Sequence, residues 1–404
     1  MQIHFSKINK NSKRYYVSYQ RVALICLFTV IMCLPNTVLA QCKIEWSPEF
    51  AVLGPDTSNV YSAVTMPNGD VIAGGEFSRA GVIYSISGTG GVPANNIARW
   101  NGSTWSALGQ GMSRGDNRRT EVFALAVKQD GTLIAGGNFT SAGGIAARSV
   151  AVWSGTSWSA LGSGLYGPDH GAGDSGKVRS LLVTQDGAII AGGLFATTDP
   201  PRGLSVGDKP HNIARWNGSS WERIGGGLNS EVRAIIQTST GDLIAAGSFR
   251  LANGSSLQDA DAVRVNGIAR WDGTSWTAMG AGLQYTAGQP GTARSLALMP
   301  NGDVVVAGSF DTAGGNPARN IARWNGTAWS AMSSGIDGRI YAMHATPTGE
   351  LFVGGDIQSP RPPLGLGFAD AFRWNGINWI SIVTPDRWLL SCYINAFTSR
   401  PNGD

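Results

Sequence analysis

Three features of the chain predict an all-β fold assembled from repeated four-stranded antiparallel units. A tryptophan-containing phrase returns six times, and a hairpin-forming phrase alternates with it. Glycine (56 residues) and tryptophan (14) are abundant, while charged residues make up only 14% of the 404-residue chain. That balance favours tight turns around an aromatic core over long helices.

Residues 1–40 read as an export signal. Lys7, Lys10, Lys13, Arg14 and Arg21 precede an apolar run from Val22 to Leu34, followed by Asn36-Thr37-Val38-Leu39-Ala40, with cleavage expected after Ala40. The apolar run is shorter than the roughly 20 residues a membrane span needs, so a retained anchor is the weaker reading and no span is expected after signal removal. Lipid attachment at Cys42 is weaker still, because Gln41 stands where such signals use a small residue. The formal charge of +4 resides in the signal, whose five cations are accompanied by no Asp or Glu; the remainder is within one charge of neutral. It lacks the clustered basic footprint that nucleic acid requires. The expected location is extracytoplasmic: secreted, periplasmic or at the cell surface.

From residue 41 onward the repeat dominates. The phrase NIARWNGSTWSALG from Asn96 recurs from Ser149, Asn212, Gly267, Asn320 and Asp370, and it contains twelve of the 14 tryptophans. Its first tryptophans, Trp100, Trp153, Trp216, Trp271, Trp324 and Trp374, are 53, 63, 55, 53 and 50 residues apart. Such a period signals a repeat architecture. Between its copies lie VYSAVTMPNGDVIAGGEF from Val60 and its counterparts from Glu121, Lys177, Glu231, Thr292 and Gly338. Each is an apolar run, a tight PNGD, QDG or TGD-type turn and a second run, the signature of a β-hairpin. The WNGSTW segments form a second hairpin. Each unit therefore supplies four short antiparallel strands, the layout of a β-propeller blade.

The glycine pairs Gly74-Gly75, Gly136-Gly137, Gly192-Gly193 and Gly354-Gly355, each followed by spaced aromatics, resemble the kelch repeat, and still more the delta-60 repeats of exported bacterial proteins. The resemblance covers nearly the whole mature chain and implies a kelch-like propeller over residues 41–404. Ala246 and Ala307 replace the first glycine in two units, where the close approach should relax. Six units are complete. Ile44-Glu45-Trp46 and Phe50–Gly54 match the third and fourth strands of a seventh, and YINAFTSRPNGD from Tyr393 matches its first. The second strand of that split blade is missing, so the sequence reads as truncated at its C-terminus; an open six-blade ring is the alternative. Cys42 and Cys392, too few for a disulfide framework, fall on this composite blade as a candidate disulfide. Their strands are two places apart, about 10 Å, so a bond requires the loops to bend.

The connections from second to third strand and from fourth to next first strand share one face, and all the long segments are of these types: 78–95, 110–120, 163–176, 196–211, 250–266, 281–291 and 358–369. Function concentrates on such loops. The expected activity is therefore binding of a protein or glycan at the long-loop face, without a cofactor, with Tyr84, Tyr166, Tyr285, Trp388 and the basic group Arg114, Arg118 and Arg119 as ligand candidates. Oligomeric state is not specified. The competing function is a carbohydrate-active enzyme, a glycosidase or a galactose-oxidase-like protein. A glycosidase needs paired carboxylates; Asp116, Asp169, Asp174, Asp199, Asp208, Asp259 and Asp261 lie on long loops, but no sialidase-type aspartate box occurs. A copper-radical oxidase needs His, Tyr and a Tyr-linked Cys together, and His170, His211, His344, Cys42 and Cys392 do not assemble such a set. Gly171–Val178 (GAGDSGKV) approximates a phosphate loop, but Val178 replaces the Mg²⁺-binding hydroxyl and a strand follows where a helix is required. Arg99, Arg215, Arg270, Arg323 and Arg373, each preceding a tryptophan, are expected to stack on it or to pair with an Asp of a neighbouring blade.

Overall fold

A computed structural model describes residues 52–53, 59–81, 91–116, 118–167, 175–196, 211–286, 288–357, 371–382 and 394–399. The export signal, Cys42, Cys392, Tyr84, Trp388 and the residues after 399 lie outside these segments. No helix among the described residues is long and apolar enough to cross a membrane.

The described residues form a β-propeller of six four-stranded antiparallel sheets, each in the strand order of the chain. The innermost strands are Asn59–Thr65, Glu121–Val127, Lys177–Val183, Val232–Gln237, Thr292–Leu298 and Gly338–Ala345. The outermost are the three-residue strands opened by Trp105, Trp158, Trp221, Trp276, Trp329 and Trp379. Innermost strands of consecutive blades pack on one another in sequence order.

The double glycine is explained by this packing. The innermost and second strands of every blade shift register at it, as between Gly136 and Gly137. A Cβ on Gly137 would lie 2.0 Å from the Glu121 carbonyl oxygen, and all six blades repeat this contact at 1.9 to 2.1 Å. The first glycine faces the next blade instead: a Cβ on Gly136 would lie 2.6 Å from Val178. Where Ala246 replaces it, the next blade offers Ala293 at the corresponding register position, and the two share one buried cluster. The added methyl is accommodated by a smaller neighbour. No such exchange occurs beside Ala307, whose cluster contains Ile340.

One hydrophobic cluster lies within the first blade, and most lie between blades. One joins Ile72, Ile97 and Leu108 of the first blade to Val122, Leu133, Phe139 and Trp158 of the second. The paired tryptophans occupy this layer, with ring centroids 4.9 to 5.6 Å apart. The second of each pair reaches backward: Trp158, Trp221, Trp276, Trp329 and Trp379 donate from Nε1 to the carbonyls of Leu108, Leu161, Ile224, Met279 and Met332 of the preceding blade, at 2.8 to 3.2 Å. An indole thus buries apolar area and satisfies an inter-blade carbonyl at once.

The long connections carry order of their own. In the second blade Ser141–Ala142 and Ile145–Ala146 form a small hairpin that also pairs with Met112–Ser113 of the incoming connection. Equivalent small sheets stand on the fifth and first blades, and a two-stranded one stands on the fourth. In the first, Val52–Leu53 pair with Arg79–Ala80. These residues were expected at the end of a seventh blade's outer strand. They take the connector's place because the Arg79–Ala80 edge needs a backbone partner, as Ser141–Ala142 does in the second blade. The Ile44–Trp46 strand lies outside the described residues.

At the chain's other end, Ile394 lies against Gly354 as Val122 lies against Gly74, and the Thr398 and Thr65 hydroxyls are 2.9 Å apart. Residues 394–398 therefore link the sixth blade to the first.

Candidate functional site

The long-loop face is held in place at one recurring position. Asn96, Asn212 and Asn320, with Ser149 in the second blade and Gly267 in the fourth, adopt positive φ of 59 to 83° immediately before the third strand, a conformation that asparagine and glycine tolerate well; the sixth blade's counterpart lies outside the described residues. Asn212 donates from Nδ2 to the Leu228 carbonyl (2.7 Å) and accepts from the Phe195 amide, fastening the connection that enters the next blade. Ser149 does the same work through the carbonyls of Leu165 and Gly176.

The expected ligand residues divide on this scaffold. Tyr285, 38% exposed, and the Arg118 and Arg119 side chains, about two-thirds exposed, are presented to solvent. Arg119 pairs with Glu76 at 2.9 Å. Arg114 and Tyr166 are buried, contrary to their expected exposure. Arg114 binds both oxygens of Asp116, Asn138 Oδ1 and Ser175 Oγ, bracing its loop against the second blade. Tyr166 bridges the backbones at Ser175 and Ala196, with the Arg148 guanidinium 4.9 Å from its ring centre. Ordered connections need buried polar and aromatic anchors, and these two residues serve that need.

Two of the carboxylates of the enzyme reading, Asp116 and Asp259, are occupied. Arg114 holds the Asp116 carboxyl below its ordinary pKa, the reverse of what a general acid requires. Asp259 accepts from the amides of Ser255 and Ser256 as a turn former. Among the described residues no group of three or more His, Cys, Asp or Glu could hold a metal. The phosphate-loop segment 171–174 and His170 lie outside the described residues. The arginines before the tryptophans pair within their own blade rather than with a neighbour: Arg99 with Asp70, Arg215 with Asp186, Arg270 with Asp242, Arg323 with Asp303 and Arg373 with Glu350. The antiparallel register brings the third strand alongside the acidic residue of that blade's own first turn, a proximity that the neighbouring blade does not offer.

A site that the loop-centred reading missed lies on the axis. A cavity of about 270 Å³ is lined by Tyr61–Ala63, Arg179 and Ser180, Arg233–Ile235, Arg294–Leu296, Tyr341–Met343 and Asn395–Phe397. These are the same register positions on the innermost strands of the first, third, fourth, fifth and sixth blades and on residues 395–397; the second blade's inner strand is not part of the lining. Because those strands start at the long-loop end, the charged and phenolic residues form the layer nearest that end. Ala63, Ile235, Leu296, Met343 and Phe397 lie deeper along the strands.

Among the described residues, three guanidiniums and no carboxylate line this cavity. Glu231, just outside it, pairs with Arg179 at 2.8 Å and Arg233 at 2.6 Å. Burial works against the Glu231 charge, but the two arginines outweigh it and hold the carboxyl below its ordinary pKa. Arg179 also lies over Phe123, 3.8 Å from the ring centre. Tyr61 donates to Glu76, and burial together with the Glu121 and Glu76 charges pushes its phenol pKa upward. Arg294 is unlike the others. Its Nε is buried without a hydrogen-bond partner, no carboxylate among the described residues pairs with it, and Tyr341 lies 5.5 Å away. Burial first, and Arg233 second, work against its charge. The available sequence signal was an arginine at the third residue of the hairpin phrase, where an otherwise apolar inner strand gains a charge in three consecutive blades.

A family model described as "Domain of unknown function (DUF5122) beta-propeller" matches residues 300–326. The match spans one blade from its first turn through its third strand. No curated protein matches the chain in sequence. Among solved structures, the chain is similar to the WD40 β-propeller domain of Doa1 (15% identity, 77% of this chain and 78% of that one, TM-score 0.41). It is also similar to PorZ, an essential bacterial surface component of the type-IX secretion system of Porphyromonas gingivalis (13%, 86% and 45%, 0.49). A third is virginiamycin B lyase from Staphylococcus aureus (13%, 71% and 78%, 0.40).

Proposed function

We propose that this chain is an exported, non-catalytic propeller of the kelch-like, delta-60-resembling kind, whose long-loop face binds a protein or glycan partner outside the cytoplasm. In this reading the two ends of the mature chain contribute to a seventh blade; the seating of Ile394 against Gly354 supports that assignment. The observation that carries the binding reading is the second tier of small sheets. Four sets of short strands stand on the long-loop end, where Asn266 and Asn320 also hold carbonyls of the connections, whereas among the described residues the opposite end has only tight turns. A fold that invests backbone hydrogen bonds in its connections holds a fixed surface there, and a preorganised surface binds at lower entropic cost.

The test uses purified mature protein on an array of surface polysaccharides and, separately, with chromogenic glycosides. Saturable binding that is lost in a Tyr285→Ala, Arg118→Ala, Arg119→Ala variant and retained in a tight-turn control, Thr327→Ala, is the expected result. Glycoside turnover abolished by Asp116→Ala or Asp259→Ala would replace the binding reading with the enzyme. N-terminal sequencing of the secreted product, expected to begin at Gln41, tests export independently.

A further inference from the structure

We propose that the axial cavity is a binding site for a carboxylated sugar, a hexuronic acid or a comparable acidic monosaccharide unit, with Arg294 and Arg233 receiving the carboxylate. The proposal concerns the interior of the ring and does not depend on the long-loop face being the partner surface.

Charge is the first argument. Arg179, Arg233 and Arg294 converge from three consecutive blades on one open cavity whose lining, among the described residues, contains no acid. Arg179 and Arg233 are partly neutralised by sharing Glu231, but Arg294 is left with an aromatic neighbour and a buried Nε that nothing satisfies; the Arg233 Nε is likewise unsatisfied. Orphaned buried donors are costly and uncommon. Two of them bordering one cavity describe a place prepared for an acceptor that bears negative charge, and a planar guanidinium suits a carboxylate in particular.

The rest of the lining selects among anions. Tyr61 and Tyr341 hydroxyls, Ser62, Ser180, Ser295 and the Asn395 amide surround the arginines, so the wall offers both donors and acceptors. The Ser62 and Ser180 oxygens accept from the Leu125 and Ile235 amides of following blades, which fixes their positions while leaving each hydroxyl hydrogen to donate. Inorganic phosphate would use the arginines and leave most of the serine, tyrosine and asparagine groups without contact. A sugar acid places its carboxylate on the arginines, its hydroxyls among the serine, tyrosine and asparagine groups, and a C–H face on a tyrosine ring. The 270 Å³ volume is large enough for one monosaccharide unit. An acidic peptide side chain could satisfy the charge, but it has no hydroxyls for the polar wall.

The experiment is calorimetric titration of the full mature chain with galacturonate and glucuronate, with galactose, inorganic phosphate and an aspartate-rich peptide as comparisons. Saturable binding of at least one uronate, with the neutral sugar weaker by about 10- to 100-fold, is expected from loss of the charged hydrogen bonds. Arg294→Met should lose uronate affinity by the same factor. It should also leave the melting temperature unchanged or raised, because it removes a buried charge that has no partner in the unliganded protein. Ser295→Leu, which fills the cavity and keeps the arginine, should lose binding as well. Absence of uronate saturation, uronate affinity unchanged by Arg294→Met, or tighter binding of phosphate or peptide would overturn the assignment. A melting temperature lowered several degrees by Arg294→Met would overturn it too, by showing the arginine to be structural.

Discussion

Trp276→Phe tests whether the blades are held to one another by their outer tryptophans. Trp276 is fully buried, its ring centre is 5.4 Å from that of Trp271, and its Nε1 donates at 3.0 Å to the Ile224 carbonyl of the preceding blade. Phenylalanine keeps most of the apolar ring but removes the donor, stranding a buried carbonyl at a cost of about 1–3 kcal/mol. The smaller ring leaves a void worth about 1 kcal/mol more. A total of roughly 2–4 kcal/mol is expected. With an unfolding entropy of about 2.1 cal/mol/K per residue, cooperative melting of the whole propeller would show this as a fall of only about 3–6 °C. Urea unfolding followed by far-ultraviolet circular dichroism is therefore the better assay, since the midpoint reports the energy directly. Trp379→Phe provides the scale: its bond to Met332 is longer, 3.2 Å, and only part-buried, so it should cost less than half as much. A loss below about 0.5 kcal/mol at Trp276, in the range of neutral surface changes, would refute the latch. Equal losses at the two sites would refute the argument from burial.

Gly137→Ala places a methyl 2.0 Å from the Glu121 carbonyl oxygen and should cost more than about 4 kcal/mol or abolish folding, as judged by soluble yield and circular dichroism. Asn212→Ala loses the bonds to Leu228 and Phe195 and forces alanine to φ 59°; a loss of about 2–4 kcal/mol in urea midpoint is expected, with Asn212→Gly recovering the backbone part. The Glu231 carboxyl titrates below its ordinary value in the folded protein. Its ion pairs therefore stabilise fully above the ordinary range near pH 4.3, and that contribution disappears as pH falls through the depressed folded value. Urea midpoints measured between about pH 5 and pH 2.5 should fall less steeply in Glu231→Gln than in the wild type.

The sequence by itself determined the blade. Strand alternation, Asn-Gly and Asp-Gly turns, the double glycine and the paired tryptophans are local signals, repeated often enough to be read without knowing what packs on what. The repeat also indicated which end carries the long connections, because strand direction alternates within each unit. Pairing across space was less accessible. The arginine before each tryptophan was expected to reach a neighbouring blade and instead meets its own blade's turn acid, because the third strand runs alongside the second in antiparallel register. Arg114 and Tyr166 looked like exposed ligand residues and are buried anchors, since Arg114 is drawn onto Asp116, Asn138 and Ser175 and Tyr166 pairs by its backbone with Ser175 and Ala196. Those sheets did leave a signal, the Ala-Gly-Gly of residues 142–144 and 313–315, which marks a hairpin within the connection. The axial site needed the tertiary structure most. Arg179, Arg233 and Arg294 are more than 50 residues apart in sequence, and each alone reads as one charge on one strand. Only the packing of consecutive inner strands brings the three to one cavity, and only the lack of a described carboxylate beside Arg294 sets it apart from the ion-paired arginines.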